Sequence, residues 1–285
     1  MTDQSNSPKH GALASPTPPP GAGDDWTVPQ RWSELTQDDH GVWDTLFARQ
    51  QTMLRGRASA GFEQGLDVLR LSRPGVPDLE ELNERLYKRT GWTVVSVPGL
   101  VPDDVFFRHL SEKRFPAGNF IRNKDQLDYL EEPDIFHDVF GHVPMLAQPE
   151  VAEFTQALGH LGLQSVDHGA LHRMARLYWY TVEFGLCCED AATRIYGAGI
   201  LSSFGEAKYA LDSDQPKRFG FDLKRVLRTN YRTDAFQQNY FVIERFQDVI
   251  DTMLRSDLPA IYAELDQLPD YDPGMVDPAD RLLAA

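Results

Sequence analysis

The stretch Arg176-Leu177-Tyr178-Trp179-Tyr180-Thr181-Val182-Glu183-Phe184-Gly185-Leu186 constrains the fold more than any other part of the chain. Read at helical period, it is apolar or aromatic nearly all round, so it belongs in the interior with other elements wrapped about it. Glu183 sits inside this run. The residues three and four positions away are Trp179, Tyr180, Leu186 and Cys187, none of them basic. A buried carboxylate without a partner is costly and tends to take up a proton. The fold must therefore bring Glu183 a cation from elsewhere, either a distant arginine or a bound metal ion.

A second segment speaks to the metal alternative. Pro133-Asp134-Ile135-Phe136-His137-Asp138-Val139-Phe140-Gly141-His142-Val143-Pro144 carries two histidines, with the carboxylates Glu131, Glu132, Asp134 and Asp138 around them. Five residues on a regular α-helix turn through about 140°, whereas spacings of three or four share a face. Both rings meet one ion only if the helix is short, distorted or ending. Pro133 offers a start, and Gly141 with Pro144 an end, which puts His142 in a frayed last turn. A single histidine among apolar residues is more often a hydrogen-bonded core group, and the pair fits either role. The spacing departs from the H-E-x-x-H zinc pattern, which weighs against a zinc hydrolase. His137, His142 and Glu183 together match the two-imidazole, one-carboxylate triad of non-haem Fe(II) oxygenases. Zinc held by the same three groups stays open on ligand type alone.

Composition sets the remaining bounds. The chain of 285 residues is long enough for one well-buried core. A formal net charge of -15 argues against a nucleic-acid partner. No run approaches the roughly 18 apolar residues of a membrane span. Cys187 and Cys188 are adjacent and poorly placed to bridge each other, and the N-terminus is polar and Pro-rich rather than signal-like. A cytoplasmic protein is expected. Residues 1–24 hold almost no large apolar side chain and read as a disordered tail, followed by one catalytic domain over residues 25–285.

The patterning is mainly α with minor β. Trp43, Leu46, Phe47, Met53 and Leu54 repeat at helical spacing behind a Thr36/Asp39 cap, and Leu79, Leu82 and Leu86 mark a helix closed near Gly91. Residues 92–97 read as a short strand. Helices are expected from Asp103 to about Arg114, from Leu171 to Leu186, and from Phe241 to Leu254. Asn239–Ile243 reads equally well as a strand.

Together, PDIFHDVFGHVP, ARLYWYTVEFGL and Tyr196-Gly197-Ala198-Gly199-Ile200-Leu201-Ser202-Ser203-Phe204-Gly205-Glu206 resemble the catalytic domain of the pterin-dependent aromatic amino acid hydroxylases. The likeness runs from about Trp92 to Ile243 and is strongest to bacterial members acting on phenylalanine. It implies a single-domain fold around a central metal-containing cleft. It implies Fe(II) on His137, His142 and Glu183, with no catalytic residue beyond these ligands. It also implies a tetrahydropterin, either tetrahydrobiopterin or a related bacterial pterin, near Gly99, Leu100, Val101 and Phe106. Asp138, Ala175 and Tyr178 match positions on the pterin side. Without the resemblance, Phe106, Ala175 and Tyr178 read as core residues.

Arg122 matches the arginine that anchors the amino acid carboxylate, a role its paired donors suit. On its own it reads as a surface residue. Asp134 matches the group that orients that arginine, Pro133, Trp179 and Ser202 match substrate-pocket positions, and Glu206 matches one near iron and pterin. Leu130 departs from the threonine of animal members. The implied reaction converts L-phenylalanine to L-tyrosine with O₂ and the reduced pterin. The alternatives are a tryptophan or tyrosine hydroxylase of the same family, a non-catalytic pterin- or metal-binding protein, and a zinc hydrolase. With no regulatory domain or C-terminal heptad run in the sequence, a monomer is expected.

Overall fold

Polar caps and apolar stripes start the helices where the sequence places them. In the computed structural model, which describes residues 17–128, 130 and 132–283, Thr36 and Asp39 close a reciprocal capping box at the head of α1 (Gln37–Leu54). Ser59 caps α2 (Ala60–Leu69), and Asp78 caps α3 (Leu79–Thr90), which ends at Gly91 in the left-handed region at φ 77°. The expected tail falls, for residues 1–16, outside the described residues. Residues 17–24 make turn bonds, such as Ala22 N–H to the Pro19 carbonyl.

Strand β1 (Thr93–Val97) is followed by α4 (Asp103–Ser111) and by β2 (Arg114–Gly118), which pairs parallel with β1 from Thr93↔Arg114 to Val97↔Gly118. This is a strand–helix–strand crossover, and the loop leaving the carboxyl end of β1 holds Gly99, Leu100 and Val101. The expected helix from Asp103 to Arg114 thus ends early. Lys113 turns at positive φ, and Arg114 already belongs to the strand.

The histidine segment forms a π-helical turn, π1 (Phe136–His142), running into the short α5 (Val143–Leu146). Pro144 has no N–H to give the Phe140 carbonyl, so the regular α-register cannot pass through it. The wider turn bonds i to i+5 and brings residues five apart one above the other. The fraying expected at His142 is not needed, since the widened helix aligns the rings itself. Phe136 and Phe140 stack on each other at 4.7 Å and pack edge-on against Trp43, Phe47 and Phe62 of α1 and α2.

Helix α6 (Pro149–Val166), buried on one face, leads to α7 (Leu171–Tyr178), then directly to a second π-turn, π2 (Trp179–Glu183), and to β3 (Gly185–Glu189). The single long helix expected over Leu171–Leu186 is therefore broken. Phe184 N–H bonds the Trp179 carbonyl five residues back at 2.8 Å, and Thr181 Oγ1 turns onto the Leu177 carbonyl. Strand β4 (Ala192–Ile195), α8 (Ala198–Leu201), α9 (Phe204–Asp212), β5 (Lys217–Gly220) and α10 (Leu223–Leu227) follow. Last come β6 (Asn239–Ile243), α11 (Phe246–Arg255) and α12 (Leu258–Leu265). The strand alternative for Asn239–Ile243 holds, and the helix begins only at Phe246. The second sheet runs β4-β3-β6-β5, antiparallel only between β3 and β4. Mainly α with minor β is the observed class.

Close approach at α2 seats the histidine segment. A Cβ on Gly65 would stand 2.1 Å from the Pro144 carbonyl oxygen, backbone that cannot swing aside. Gly65→Ala should cost about 1–3 kcal/mol by overpacking, read as a lowered urea midpoint with unchanged slope. An unchanged midpoint would show that α2 can move off α5 freely.

Candidate metal centre and cavity

The two π-turns converge. Nitrogen atoms of His137 and His142 and a carboxylate oxygen of Glu183 all lie within 4.8 Å of one another. His142 Nε2 is 3.2 Å from Glu183 Oε1, and His137 Nε2 is 3.6 Å from Oε2. The two Nε2 atoms are 3.4 Å apart. Glu183 and His142 are buried, and His137 is partly open to a cavity of about 720 Å³.

The hydrogen-bond network fixes which His137 nitrogen is free. Ser202 Oγ donates to the Ala198 carbonyl at 2.8 Å, so its hydroxyl proton is committed. Its other contact, 2.8 Å from His137 Nδ1, must then be accepted by the serine, which puts the imidazole proton on Nδ1. Nε2 carries a lone pair aimed at Glu183 and His142. Burial holds His137 down at about 4, against the raising effect of Glu183 and with a further lowering by His142. Neutral imidazole facing a carboxylate is a donor set suited to a dication. The residues present fit a metal with two nitrogen ligands and one oxygen ligand.

The remaining expected residues sort by wall. Gly99, Leu100, Val101 and Phe106 line one side with Asp138, Ala175 and Tyr178. Phe106 meets Tyr178 edge-on at 5.0 Å. Asp138 is buried and its Oδ2 accepts from Gly118 N–H at 2.8 Å. Burial pushes its carboxyl well above the usual range, with Asp134, Glu183 and Glu132 adding to the rise. Burial and the charges of Glu183 and Asp138 likewise raise the Tyr178 phenol.

Arg122, Pro133, Trp179, Ser202 and Glu206 line the cavity as well. Arg122 is 9% exposed, not the surface residue that sequence alone suggested. Asp134 is buried behind it and takes two parallel hydrogen bonds from Nε and Nη2, both at 2.8 Å. Burial would raise Asp134, but the bonds and charge of Arg122 outweigh it and hold the carboxyl below its ordinary value. Asp134 Oδ1 also accepts from His137 N–H, tying the arginine to the head of π1. Leu130 lines the cavity too.

Sequence reasoning missed a third wall. Phe184 packs against Trp179 at 4.7 Å, Tyr231 stacks on Trp179 from behind the lining at 4.3 Å, and Phe115 covers the His142 ring at 4.6 Å. Residues 233–237 and Phe204 also line the cavity. The polar, aperiodic stretch 230–238 bears no local mark of this role.

The chain is similar to known proteins over most of its length. Residues 27–259 match the profile of the biopterin-dependent aromatic amino acid hydroxylases. A phenylalanine-4-hydroxylase from Caulobacter vibrioides is 56% identical over 266 residues, which is 93% of this chain and 90% of that one. An iron- and phenylalanine-bound crystal structure of phenylalanine hydroxylase from Chromobacterium violaceum superposes with a TM-score of 0.87 at 46% identity, covering 92% of this chain and 95% of the other. Another structure of that enzyme, with iron(III) and 7,8-dihydrobiopterin, gives 0.88 at 47% identity and covers 94% and 95%.

Glu206 adds a pH dependence. Burial pushes it up to about 7 from 4.5, although Gln237 N–H and the Tyr240 hydroxyl, both bonding Oε1, pull it down. A raised carboxyl costs nothing below its unfolded value and its full penalty above its folded value, so stability is lost as pH rises from 4.5 to about 7. Glu206→Gln cannot ionise. Relative to the unsubstituted protein it should gain on the order of 3 kcal/mol between about pH 4 and pH 8. Urea unfolding at both pH values measures this, and an equal difference at the two would contradict the shift.

Proposed function

The chain belongs to the biopterin-dependent aromatic amino acid hydroxylase family, and from that premise we propose that it converts L-phenylalanine to L-tyrosine, using O₂, a tetrahydropterin and non-haem Fe(II). The observation that carries this reading is the convergence of two imidazoles and a buried carboxylate, opening on a cavity that also holds an oriented arginine. His137, His142 and Glu183 would hold the metal. When bound, iron and reduced pterin together supply the activation of O₂ that ring hydroxylation needs.

The protein's own groups bind, orient and exclude water. Asp134 occupies one edge of the Arg122 guanidinium, while Nη1 makes no hydrogen bond among the described residues. That unused edge suits the carboxylate of an amino acid. Trp179, backed by Tyr231, offers the substrate ring an aromatic face. Gly99, Leu100, Val101, Phe106, Ala175 and Tyr178 form the apolar side suited to a flat pterin, and Asp138 brings a buried carboxyl to it. Pro133 and Ser202 shape the substrate side, with Ser202 also fixing the His137 tautomer. Glu206 stands near both. No side chain need act as general acid or base. The protein's contribution is positioning and a dry site.

A tryptophan or tyrosine hydroxylase would use the same metal and arginine. The phenylalanine-bound relative and the names of similar bacterial enzymes favour phenylalanine. Residues 25–285 are taken as the catalytic domain after a tail at residues 1–24, and the protein as a cytoplasmic monomer. In support, Cys187 and Cys188 are free thiols, as in reducing compartments, and among the described residues no helix is long and apolar enough to cross a membrane.

Purified protein given ferrous iron, a tetrahydropterin and phenylalanine should form tyrosine with O₂ uptake. No tyrosine under these conditions overturns the proposal. Glu183→Ala should reduce bound iron, measured by elemental analysis, and abolish turnover. Arg122→Ala should raise the phenylalanine KM roughly 10- to 150-fold, the range for losing a charge-assisted hydrogen bond, while iron content stays constant. An unchanged KM would remove Arg122 from the carboxylate site.

A further inference from the structure

Trp179 is held by more than stacking. Its Nε1–H donates to Gln237 Oε1 at 3.0 Å, and Gln237 is 3% exposed although it lines the cavity. Every polar group of Gln237 that the structure pairs goes to a different part of the site. Its backbone N–H bonds Glu206 Oε1 at 2.8 Å, and Nε2 bonds the Arg232 carbonyl at 2.8 Å and the Ala235 carbonyl at 3.3 Å. Glu206 is itself fixed on α9 by the Tyr240 hydroxyl. Residues 232–236 are exposed, and 233–236 line the cavity, so this loop forms its rim.

We propose that Gln237 is a positioning residue of the amino acid pocket, whose side-chain oxygen sets the angle of the Trp179 indole against which the aromatic substrate lies. This rests on the functional reading above. Stacking on Tyr231, with an interplanar angle of 16°, leaves the indole free to slide and turn in its own plane. A hydrogen bond at the ring edge removes that freedom, because N–H···O geometry is directional. The acceptor is in turn immobilised by two loop carbonyls and, through its backbone, by a buried carboxylate. Trp179 opens the π-turn that Glu183 closes, so the orientation of the indole relative to the metal ligands is fixed from both ends. The pocket therefore depends on a residue that neither coordinates the metal nor belongs to the substrate-contact set inferred from sequence. The side chain of Gln237 bonds Trp179 and the 232–235 loop rather than Gly99, Leu100, Val101, Phe106, Ala175 or Tyr178, the residues assigned above to the pterin side.

The test compares three variants of the full-length, iron-loaded protein under the hydroxylation assay. Gln237→Leu roughly keeps the volume and removes the acceptor for the indole together with the Nε2 donor to the Arg232 and Ala235 carbonyls. It should raise the phenylalanine KM roughly ten-fold, the effect of one buried hydrogen bond left unmade. It should also lower tyrosine formed per pterin oxidised, with iron content and pterin KM unchanged. Gln237→Glu, held as the neutral acid by burial beside the Glu206 carboxyl, retains an acceptor for the indole and an O–H donor for a loop carbonyl, and should keep the phenylalanine KM within about three-fold of the unsubstituted protein. Trp179→Phe deletes the donor from the other side, and adding Gln237→Leu to it should cause no further rise, since both remove one interaction. If Gln237→Leu does not fold, Gln237→Glu and Trp179→Phe still separate the outcomes. An unchanged KM in Gln237→Leu, equal rises in Gln237→Leu and Gln237→Glu, or additive effects in the double variant would overturn the assignment. Failure of the unsubstituted protein to make tyrosine would instead refute the functional reading.

Discussion

A buried carboxylate facing two imidazole rings is the interaction on which the rest of this structure depends. Glu183 lies 3.2 Å from one ring nitrogen and 3.6 Å from the other, at the closed end of a cavity walled largely by aromatic and apolar side chains. Removing these groups from water costs several kcal/mol unless a cation joins them. Both segments that carry them abandon regular α-geometry. The widened turns at Phe136–His142 and Trp179–Glu183 each carry members of this trio and are stabilised by packing, through the Phe136–Phe140 stack on one side and the Trp179–Tyr231 stack on the other. Irregular helical register is used where function requires an unusual angle.

Around this centre the ionisable groups divide according to what each one faces. Asp134 has a guanidinium and stays below the usual carboxylate range, so the arginine is presented ready oriented. Asp138 and Glu206 have only N–H and O–H donors against their burial, and both are raised. His137 is kept neutral by burial, with its proton directed outward by Ser202. The same residue types thus serve as an anchor, as neutral hydrogen-bonding groups and as ligands, the choice being made by neighbours rather than by identity. The walls then divide the work. The loop after β1 and the Phe106–Tyr178 pair suit a flat cofactor, and the Arg122–Trp179 side suits an aromatic amino acid.

Much of this was readable from the chain. The all-round apolar run with Glu183 inside it demanded a buried element, which is present, and a cation, for which His137, His142 and Glu183 converge as a donor set. The capping box at Thr36, the stop at Gly91 and the strand after it follow from local chemistry, because hydrogen bonds within a few residues decide them. The early end of α4 and the break after Tyr178 were not readable. Long apolar runs look alike whether they continue as helix or turn into buried strand, and the pairing of β2 with β1 or of β3 with β6 is a long-range choice.

The sequence by itself determined the ligand types, the distortion that a five-residue histidine spacing requires, and the mainly helical class, since these rest on residue identity and local period. The tertiary structure alone decided how the distortion is achieved, as a π-turn held by aromatic packing from α1 and α2. It also decided that Arg122 is buried against Asp134 and that Glu183 meets two rings. Gln237 belongs to that second set. Its neighbours Trp179 and Glu206 are 58 and 31 residues away in the chain, and only packing brings an aperiodic polar loop against them.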